Sequence, residues 1–377
     1  MTSKNEILPL TSLRFAAALY VFLFHFNISL PIAAASGVAG RIIAHGAIGM
    51  SLFFILSGFV LALRFKDGVK NIGAYTFMRF SRIYPVYLLA ALLAVPLLIT
   101  SLAEWPANTS IVIGRYAFII FANILLIQAW LPQLFNLWND NGSWSISVEA
   151  FFYALFPFIV NPLRKLSNCS LYMALIIFFI GSAIPGISYI LFPNPPSFIV
   201  FYAIPIFRLC EFMAGVTSGL LFARGARFPA PDLMLAIFIG ILLAYVAYGP
   251  NYGFIFIADN WAVVPAFTGL IFSSACLTSG LLYKLITNKL IVGLGHVSYS
   301  FYSMQFLVLM LIISNRVTLA NAVPALAENR ALCIAALVTL SLVSAVTYYL
   351  IEVKFRNHLN SKWFGKMSPS SQKLAQH

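Results

Sequence analysis

Residues 11–30 read TSLRFAAALYVFLFHFNISL. This stretch is apolar and as long as one membrane-crossing helix, which needs about 20 residues. It nevertheless contains Arg14 and His25. Ionisable side chains are costly inside a membrane, so they usually face a cavity or a partner and work there. The stretch therefore predicts a membrane protein whose first helix carries either part of a functional site or two interfacial side chains.

The composition of the whole chain supports membrane insertion. The 377 residues are 61% hydrophobic and 9% charged, whereas soluble domains have roughly 25% charged residues. The net charge of +13 is the excess that the positive-inside rule produces, so no nucleic-acid partner is expected. The four cysteines are far apart in sequence, and no metal site is predicted.

Ten apolar segments have the length of a membrane span. They lie near residues 8–28, 46–64, 82–101, 148–163, 170–192, 198–223, 233–250, 261–283, 290–315 and 330–352. An eleventh apolar stretch covers roughly residues 111–130. The sequence thus predicts an all-α polytopic membrane bundle and leaves one segment to be placed by its charges.

The basic residues decide whether the 111–130 stretch crosses the membrane. If it does not cross, seventeen lysines and arginines fall on the inner side, and only Arg41, Arg115, Arg316 and Arg330 fall outside. If it crosses, eleven of the inner basic residues move outside. Cytoplasmic loops carry the excess of lysine and arginine. We therefore predict about ten transmembrane helices, both termini in the cytoplasm, and one re-entrant or interfacial segment.

The spacing of Arg14 and His25 places them on one helix face. Eleven residues turn an α-helix by about 1,100° and raise it by about 16 Å. Arg14 then lies near the inner end and His25 in the outer half of the same face. In the structural alternative, Arg14 extends to the inner headgroups and His25 caps the outer end of the helix. The spacing alone does not separate these interpretations.

Two further motifs fall at the inner mouth of the third predicted span and in the middle of the second. Arg79 and Arg82 share one face of a helix at positions i and i+3, and with Pro85 they would mark the start of the third span. They are either ordinary positive-inside charge or a clamp for an anion such as phosphate, which arginine suits by its fork geometry. Ser57 and Gly58 form a small pair in the second span, typical of helix packing.

Three acidic or basic residues lie within later apolar segments. Glu149 is predicted at the outer start of a span, on the same side as His25, where a carboxylate could orient the histidine and support its basicity. It could equally be an interfacial residue favoured by a helix N-terminus. Arg208 and Glu211, at i and i+3 near mid-membrane, are expected to neutralise each other or a neighbour and to have a structural role.

Taken together and in order, the motifs resemble those of the acyltransferase 3 family, integral-membrane acyl-CoA-dependent O-acyltransferases that include O-antigen, exopolysaccharide and nodulation-factor enzymes. Besides the Arg14/His25 pair, the resemblance rests on FFILSGF (53–59), RFSRIYP (79–85), WSISVEAFFYALFP (144–157), RLCEFMAG (208–215) and LGHVSYSFY (294–302). Two positions depart from the family pattern: Gln305 stands where a histidine is common, and Glu352 is followed by valine instead of proline.

The resemblance implies transfer of an acyl group, commonly acetyl, from cytoplasmic acyl-CoA to a hydroxyl of a cell-surface glycan or lipid-linked saccharide at the outer side of a bacterial inner membrane. Acyl-CoA would be a co-substrate, and no bound cofactor is expected. His25 would act as general base or transient acyl carrier, with Arg14 and Glu149, and Arg79 and Arg82 would hold the CoA phosphates. The expected structural or substrate-lining residues are Ser57, Trp144, Arg208, Glu211 and Tyr299.

The domain prediction is a membrane acyltransferase domain over residues 1–352 and a basic cytoplasmic tail over residues 353–377. The alternative function is a polytopic transporter or flippase for a glycan-related substrate, since ten spans and buried charges suit that class too. The acceptor sugar, the acyl chain and the oligomeric state stay open.

Overall fold

The computed structural model describes residues 6–96, 98, 109–135, 137–138, 140–192, 194, 196–253 and 255–364. Helices dominate, and no strand occurs in these ranges. The α-helices are α1 Leu8–Ser29, α2 Val38–Ala44, α3 Gly49–Arg64, α4 Ile72–Leu93, α5 Thr109–Ile124, α6 Asp140–Leu163, α7 Asn168–Leu191, α8 Phe198–Ala203, α9 Pro205–Ala223, α10 Pro231–Tyr248, α11 Asn260–Cys276, α12 Gly280–Ile286, α13 Lys289–Ser314, α14 Arg316–Ala322, α15 Asn329–Thr347 and α16 Val353–Phe364.

Within the described residues, nine helical stretches are long and apolar enough to cross a membrane. They are Leu8–Ser29, Gly46–Arg64, Ser143–Leu163, Asn168–Leu191, Phe198–Ala223, Pro231–Tyr248, Phe256–Cys276, Lys289–Ser314 and Asn329–Leu359. These correspond to nine of the ten predicted spans. The protein is therefore an all-α polytopic helical bundle, as its sequence predicts.

The predicted boundary of the third span is wrong. The sequence predicts this helix near residues 82–101, but α4 begins at Ile72 and ends at Leu93; the predicted end at residue 101 lies outside the described residues. Asn71 caps it by accepting a hydrogen bond from the backbone N–H of Ala74 at 2.9 Å, and such a cap fixes a helix start. Pro85 consequently lies inside the helix. Arg79 and Arg82 are therefore well inside α4 and not at its mouth.

Contacts between neighbouring helices give their relative directions. A Cβ atom on Gly49 would meet Val21, and one on Gly46 would meet Phe24, so α3 runs antiparallel to α1. Tyr75 stacks on Phe156 and Arg79 lies over the Tyr153 ring, so α4 runs antiparallel to α6. These directions fit a chain in which α4, in addition to the nine stretches above, crosses the membrane.

The segment between α4 and α6 returns to the end of α4 that it left. Helix α5 has 16 residues, about 24 Å of rise, which is shorter than the roughly 30 Å hydrocarbon core. The Trp138 indole donates to the Ala91 carbonyl at 3.1 Å, and Tyr87 donates to the Asn123 carbonyl at 2.8 Å. This geometry fits the predicted segment that does not cross the membrane.

Glycines bring α3 and α9 into backbone contact. A Cβ on Gly215 would lie 1.9 Å from the Ile55 carbonyl oxygen, and a Cβ on Gly58 would lie 2.2 Å from the Phe212 oxygen. Small residues allow such close approach of membrane helices. The packing predicted for Ser57-Gly58 is thus present, and it turns the other face of α3 towards the cavity described below.

The predicted tail is partly helical. Residues 353–364 form α16, which follows a π-helical turn at Tyr348–Glu352. Arg356 of α16 lies 3.7 Å from the Glu352 carboxylate. Residues 365–377 of the predicted tail lie outside the described residues.

Candidate active site

Five helices, α1, α3, α4, α6 and α13, enclose a cavity of about 90 Å³. Six of the residues singled out in the sequence line it: Arg14, Ser57, Arg79, Arg82, Glu149 and Tyr299. They come from five separate sequence motifs and share no local sequence neighbourhood beyond the Arg79–Arg82 pair. Most of the remaining lining is apolar, including Met50, Phe53, Leu56, Val60 and Ile146.

The cavity holds three guanidinium groups. Arg14 comes from the first third of α1, and Arg79 and Arg82 come from successive turns of α4. Arg79 is only 5% exposed, and its guanidinium carbon lies 5.7 Å from the centre of the Tyr153 ring. Among the described residues, none of the three forms an ion pair with a carboxylate. The cavity is therefore electropositive and offers donors to an anion.

Glu149 is the one carboxylate that lines the cavity within the described residues. It accepts a hydrogen bond from the Ser57 hydroxyl at 3.1 Å and another from the Tyr153 hydroxyl. The prediction that Glu149 orients His25 needs correction, because Glu149 is committed to Ser57 and Tyr153 in the cavity. Glu149 instead connects the arginine cluster to α3 through these hydroxyls.

His25 lies outside the cavity lining and contacts α13. Its Nδ1 is 2.6 Å from the side-chain amide nitrogen of Gln305. Gln305 follows Tyr302 by one helical turn, and Tyr302 lines the cavity and shares a 2.6 Å hydrogen bond with Ser145. His25 is therefore one turn of α13 beyond the end of the cavity marked by Tyr302. It does not cap the end of α1, so that structural alternative is not what the contacts show.

Arg14 and His25 thus belong to different parts of one assembly. Helix α13 runs parallel to α1, because Gly295 packs on Thr11 and Gln305 reaches His25. The eleven-residue separation corresponds to about 16 Å along the helix axis. One residue enters the cavity with the arginine cluster, and the other stands beyond its far end.

Two other predicted residues support the walls. Tyr299 lines the cavity and donates a 2.5 Å hydrogen bond to the Ile83 carbonyl of α4. Trp144 is 4% exposed and packs against the rings of Tyr202 and Phe54. Trp144 is therefore a packing residue beside the site, whereas Tyr299 joins α13 to the helix that carries Arg79 and Arg82.

The Arg208–Glu211 pair forms a separate buried network. The two side chains are 3.0 Å apart and almost fully buried. Arg208 also donates to Ser51 at 3.0 Å, and Asn260 donates to Glu211 at 2.9 Å. These hydrogen bonds join α9 to α3 and α11. The predicted mutual neutralisation is present, and the pair has a structural role in the packing of three helices.

The sequence reasoning missed several residues that the fold brings to the site. Tyr153 follows Glu149 by four residues, so helical spacing places both on one face of α6. Ser145 and Tyr302 form a contact between α6 and α13, which no local spacing predicts. Gln305 stood out only as a departure from a resemblance. Its role as the partner of His25 depends on the packing of α1 against α13.

The chain is similar to known acyltransferases. The family model for the acyltransferase 3 proteins, described as an acyltransferase domain, matches residues 10–350. The chain belongs to the acyltransferase 3 family. A curated relative, the acyltransferase MdmB of Streptomyces mycarofaciens, is 31% identical over 317 residues, which are 80% of this chain and 78% of MdmB. No solved structure matches the chain.

Family membership confirms the resemblance carried by the motifs. The protein is a membrane acyltransferase, and its reaction needs an acyl donor and an acceptor. The match runs from α1 into the π-helical turn, ending at residue 350, so it includes the cavity, His25 and Gln305.

Proposed function

We propose that this acyltransferase transfers an acyl group, commonly acetyl, from cytoplasmic acyl-CoA to a hydroxyl of a glycan or lipid-linked saccharide at the outer side of a bacterial inner membrane. Both termini would be cytoplasmic. The observation that carries the proposal is the cavity in which Arg14, Arg79 and Arg82 converge with a single lining carboxylate among the described residues. Three cations that face a single lining carboxylate inside a membrane favour an anionic ligand.

The donor's phosphates would bind at the arginine cluster. Charge-assisted hydrogen bonds from arginine to phosphate are strong and often bidentate. Arg79 and Arg82 lie in the same half of α4 as its N-terminal end, which the charge bias assigns to the cytoplasm. The apolar lining that includes Met50 and Phe53 would hold the uncharged arm and acyl group. The thioester would then point towards Tyr302 and His25.

His25 would serve the acceptor. In one route its imidazole removes the proton of the acceptor hydroxyl, whose oxygen forms the C–O bond as the C–S bond of the thioester breaks. The sulfur leaves with the bonding electrons, and the proton balances the thiolate that is released. In the other route an imidazole nitrogen carries the acyl group first and then passes it to the hydroxyl. The geometry is common to both routes.

A transporter or flippase of a glycan-related substrate is the alternative. Membership of an acyltransferase family supports the enzyme. The two functions differ in whether a covalent bond forms. Membranes containing the protein should move radiolabel from acetyl-CoA onto a saccharide or lipid-linked saccharide as an alkali-labile ester.

The control is an equal amount of His25→Ala protein in matched membranes. The enzyme predicts ester label with wild type and background label with the variant. If the label stays in acetyl-CoA in membranes with the wild-type protein, while a saccharide crosses these membranes, the transporter is favoured. Analysis of ester groups on the surface polysaccharide with and without the gene would then identify the natural acceptor.

A further inference from the structure

Gln305 is the side chain that contacts the imidazole of His25. It is 2% exposed on α13, and its amide nitrogen lies 2.6 Å from His25 Nδ1. Its amide oxygen is buried and has no hydrogen-bond partner among the described residues. A buried carbonyl oxygen without a partner is costly. The amide is thus held on His25 with its acceptor atom unused.

The orientation of this amide decides which imidazole nitrogen can take a proton. When the Gln305 N–H donates to Nδ1, Nδ1 must be an acceptor and the ring proton is on Nε2. Nε2 then has no lone pair for an acceptor hydroxyl. An imidazolium is also disfavoured, because Nδ1–H and the amide N–H would be two donors facing each other.

Turning the amide by 180° reverses this arrangement. The amide oxygen of Gln305 would then accept from Nδ1–H, and the Nε2 lone pair would be free for the substrate. The same orientation would stabilise the imidazolium that forms when Nε2 takes the proton. It would equally leave Nε2 as the nucleophile in the acyl-carrier route.

Among the described residues, no carboxylate is paired with His25 to fix its tautomer. The ion pairs there are Arg208–Glu211, His296–Glu6 and Arg356–Glu352, and none involves His25. In Ser-His-Asp sites a carboxylate fixes the tautomer and orientation of the histidine. Here the group in that position is a neutral amide.

We propose that Gln305 is a positioning residue that sets the tautomer of His25, with its amide oxygen turned onto Nδ1 in the form that carries out transfer. This inference rests on the proposed role of His25 in acyl transfer. The orphan oxygen is the atom that becomes the acceptor after the turn.

Two substitutions at this position separate a positioning role from packing. Gln305→Met keeps a similar length but cannot hold Nδ1–H, and kcat should fall at least tenfold, a part of the roughly 10²–10⁴ that a positioned base contributes. Gln305→Glu supplies only acceptor oxygens and should keep a large share of the wild-type kcat. Both should leave the dissociation constant for acetyl-CoA unchanged.

Val308→Ala is the matched packing control, because Val308 is buried on the same helix and does not line the cavity. Its kcat should stay within about twofold of wild type. If Gln305→Met does no worse than Val308→Ala, or if Gln305→Glu is as inactive as Gln305→Met, the inference is overturned. Should Gln305→Met be poorly expressed, Gln305→Asn, whose amide is one carbon shorter, takes its place.

The tautomer can also be observed directly. Protein with ¹⁵N-labelled histidine side chains, with the His25 signals assigned by their loss in His25→Gln, should show protonated Nδ1 in active Gln305→Glu. Protonated Nε2 in that active variant would contradict the inference. If His25→Gln itself transfers acyl groups normally, the proposed function of His25 has failed. Inactive His25→Gln with fully active Gln305→Met removes only the inference about Gln305.

Discussion

Arg79 is buried, lies over an aromatic ring, and has no carboxylate ion-pair partner in the described part of the chain. A purely structural arginine at this depth would be expected to have a buried partner, as Arg208 has in Glu211. The contrast between these two arginines is the residue-level reason to assign a ligand to the first and a packing role to the second.

Replacement of the cavity arginines should weaken donor binding. Arg79→Ala and Arg82→Ala should each reduce the acyl-CoA binding free energy by about 1.5–3 kcal/mol, the value of a hydrogen bond to a charged group. Lysine at either position should restore binding only in part, because a point charge lacks the fork geometry. Equilibrium binding of CoA to purified protein measures this, with exposed Lys70→Ala as control. Unchanged affinity in a folded double variant would return both residues to ordinary positive-inside charge.

The local spacing of the sequence was informative at this scale where the partners lie on one helix. The pairs Arg79–Arg82 and Arg208–Glu211 fall at i and i+3, and their joint placement was predictable. The partner of His25 was not, since Gln305 is 280 residues away in sequence. Of the two partners of Glu149, Ser57 is 92 residues away in sequence and was likewise not predictable, whereas Tyr153 is only four residues away and could have been found from helical spacing.

At the scale of helices, glycine fixes how α3 meets α9. Gly215→Ala should destabilise the protein by at least the roughly 1–3 kcal/mol typical of overpacking, because its new Cβ would lie 1.9 Å from a backbone oxygen. Gly240→Ala is the matched control, since no atom lies within 4 Å of the position of its Cβ and alanine favours a helix. Thermal unfolding in detergent compares them. Equal Tm values for the two variants would contradict the close α3–α9 contact.

The N-terminal end of α1 is attached to α13 by Glu6. Its carboxylate lies 2.8 Å from His296 Nε2 and accepts from Thr11 at 2.6 Å. The hydrogen bond from His296 lowers the pKa of Glu6 below its ordinary value of 4.5. A lowered carboxyl pKa stabilises the folded state above the ordinary pKa, and this contribution is lost as the pH falls through the lowered value.

Glu6→Gln should therefore lower Tm at neutral pH, and the difference from wild type should shrink as the pH falls below 4.5. Its size should be about 1 kcal/mol, as for a partly exposed hydrogen bond. Glu328→Gln, at an exposed position, is the control. A Tm difference that grows on acidification would contradict the assigned contact.

The boundaries of single elements were the least predictable part of the fold. The apolar pattern placed nine spans close to their observed ranges, because a buried or lipid-facing helix needs a long apolar run. It misplaced α4, which begins after the N-cap Asn71 and has Thr76 and Arg79 among its first residues. The polar N-cap and the arginines that face the cavity lower the mean hydropathy of this stretch. A search for apolar segments alone therefore starts the helix too late.

On the scale of the whole molecule, the charge bias predicts which helix ends face the cytoplasm. The charge bias assigns Lys70 to the cytoplasm and Gln133, in the segment between α4 and α6, to the outside. In a Cys169→Ser background, Gln133→Cys should react with a membrane-impermeant thiol reagent in intact cells, and Lys70→Cys should react only after permeabilisation. Asn139, which the sequence also places outside, lies beyond the described residues. The opposite labelling pattern would overturn the orientation.

In the proposed function, donor binding and proton removal take place at separate ends of the site. Arg14 and His25 are on one helix, about 16 Å apart along its axis, with the cavity at one end and Gln305 at the other. Changes at the arginine cluster should act on CoA affinity, and changes at His25 should act on the transfer step.

The decisive measurement is acyl transfer and acetyl-CoA affinity determined together for His25→Gln in membranes with equal amounts of protein. Glutamine approximates the size of histidine but cannot take the proton, so transfer should fall by about 10²–10⁴-fold, while the dissociation constant for acetyl-CoA stays at the wild-type value. Retention of more than about a tenth of wild-type turnover would contradict catalysis by His25. A loss of CoA affinity equal to the loss of turnover would contradict the separation of the two ends of the site.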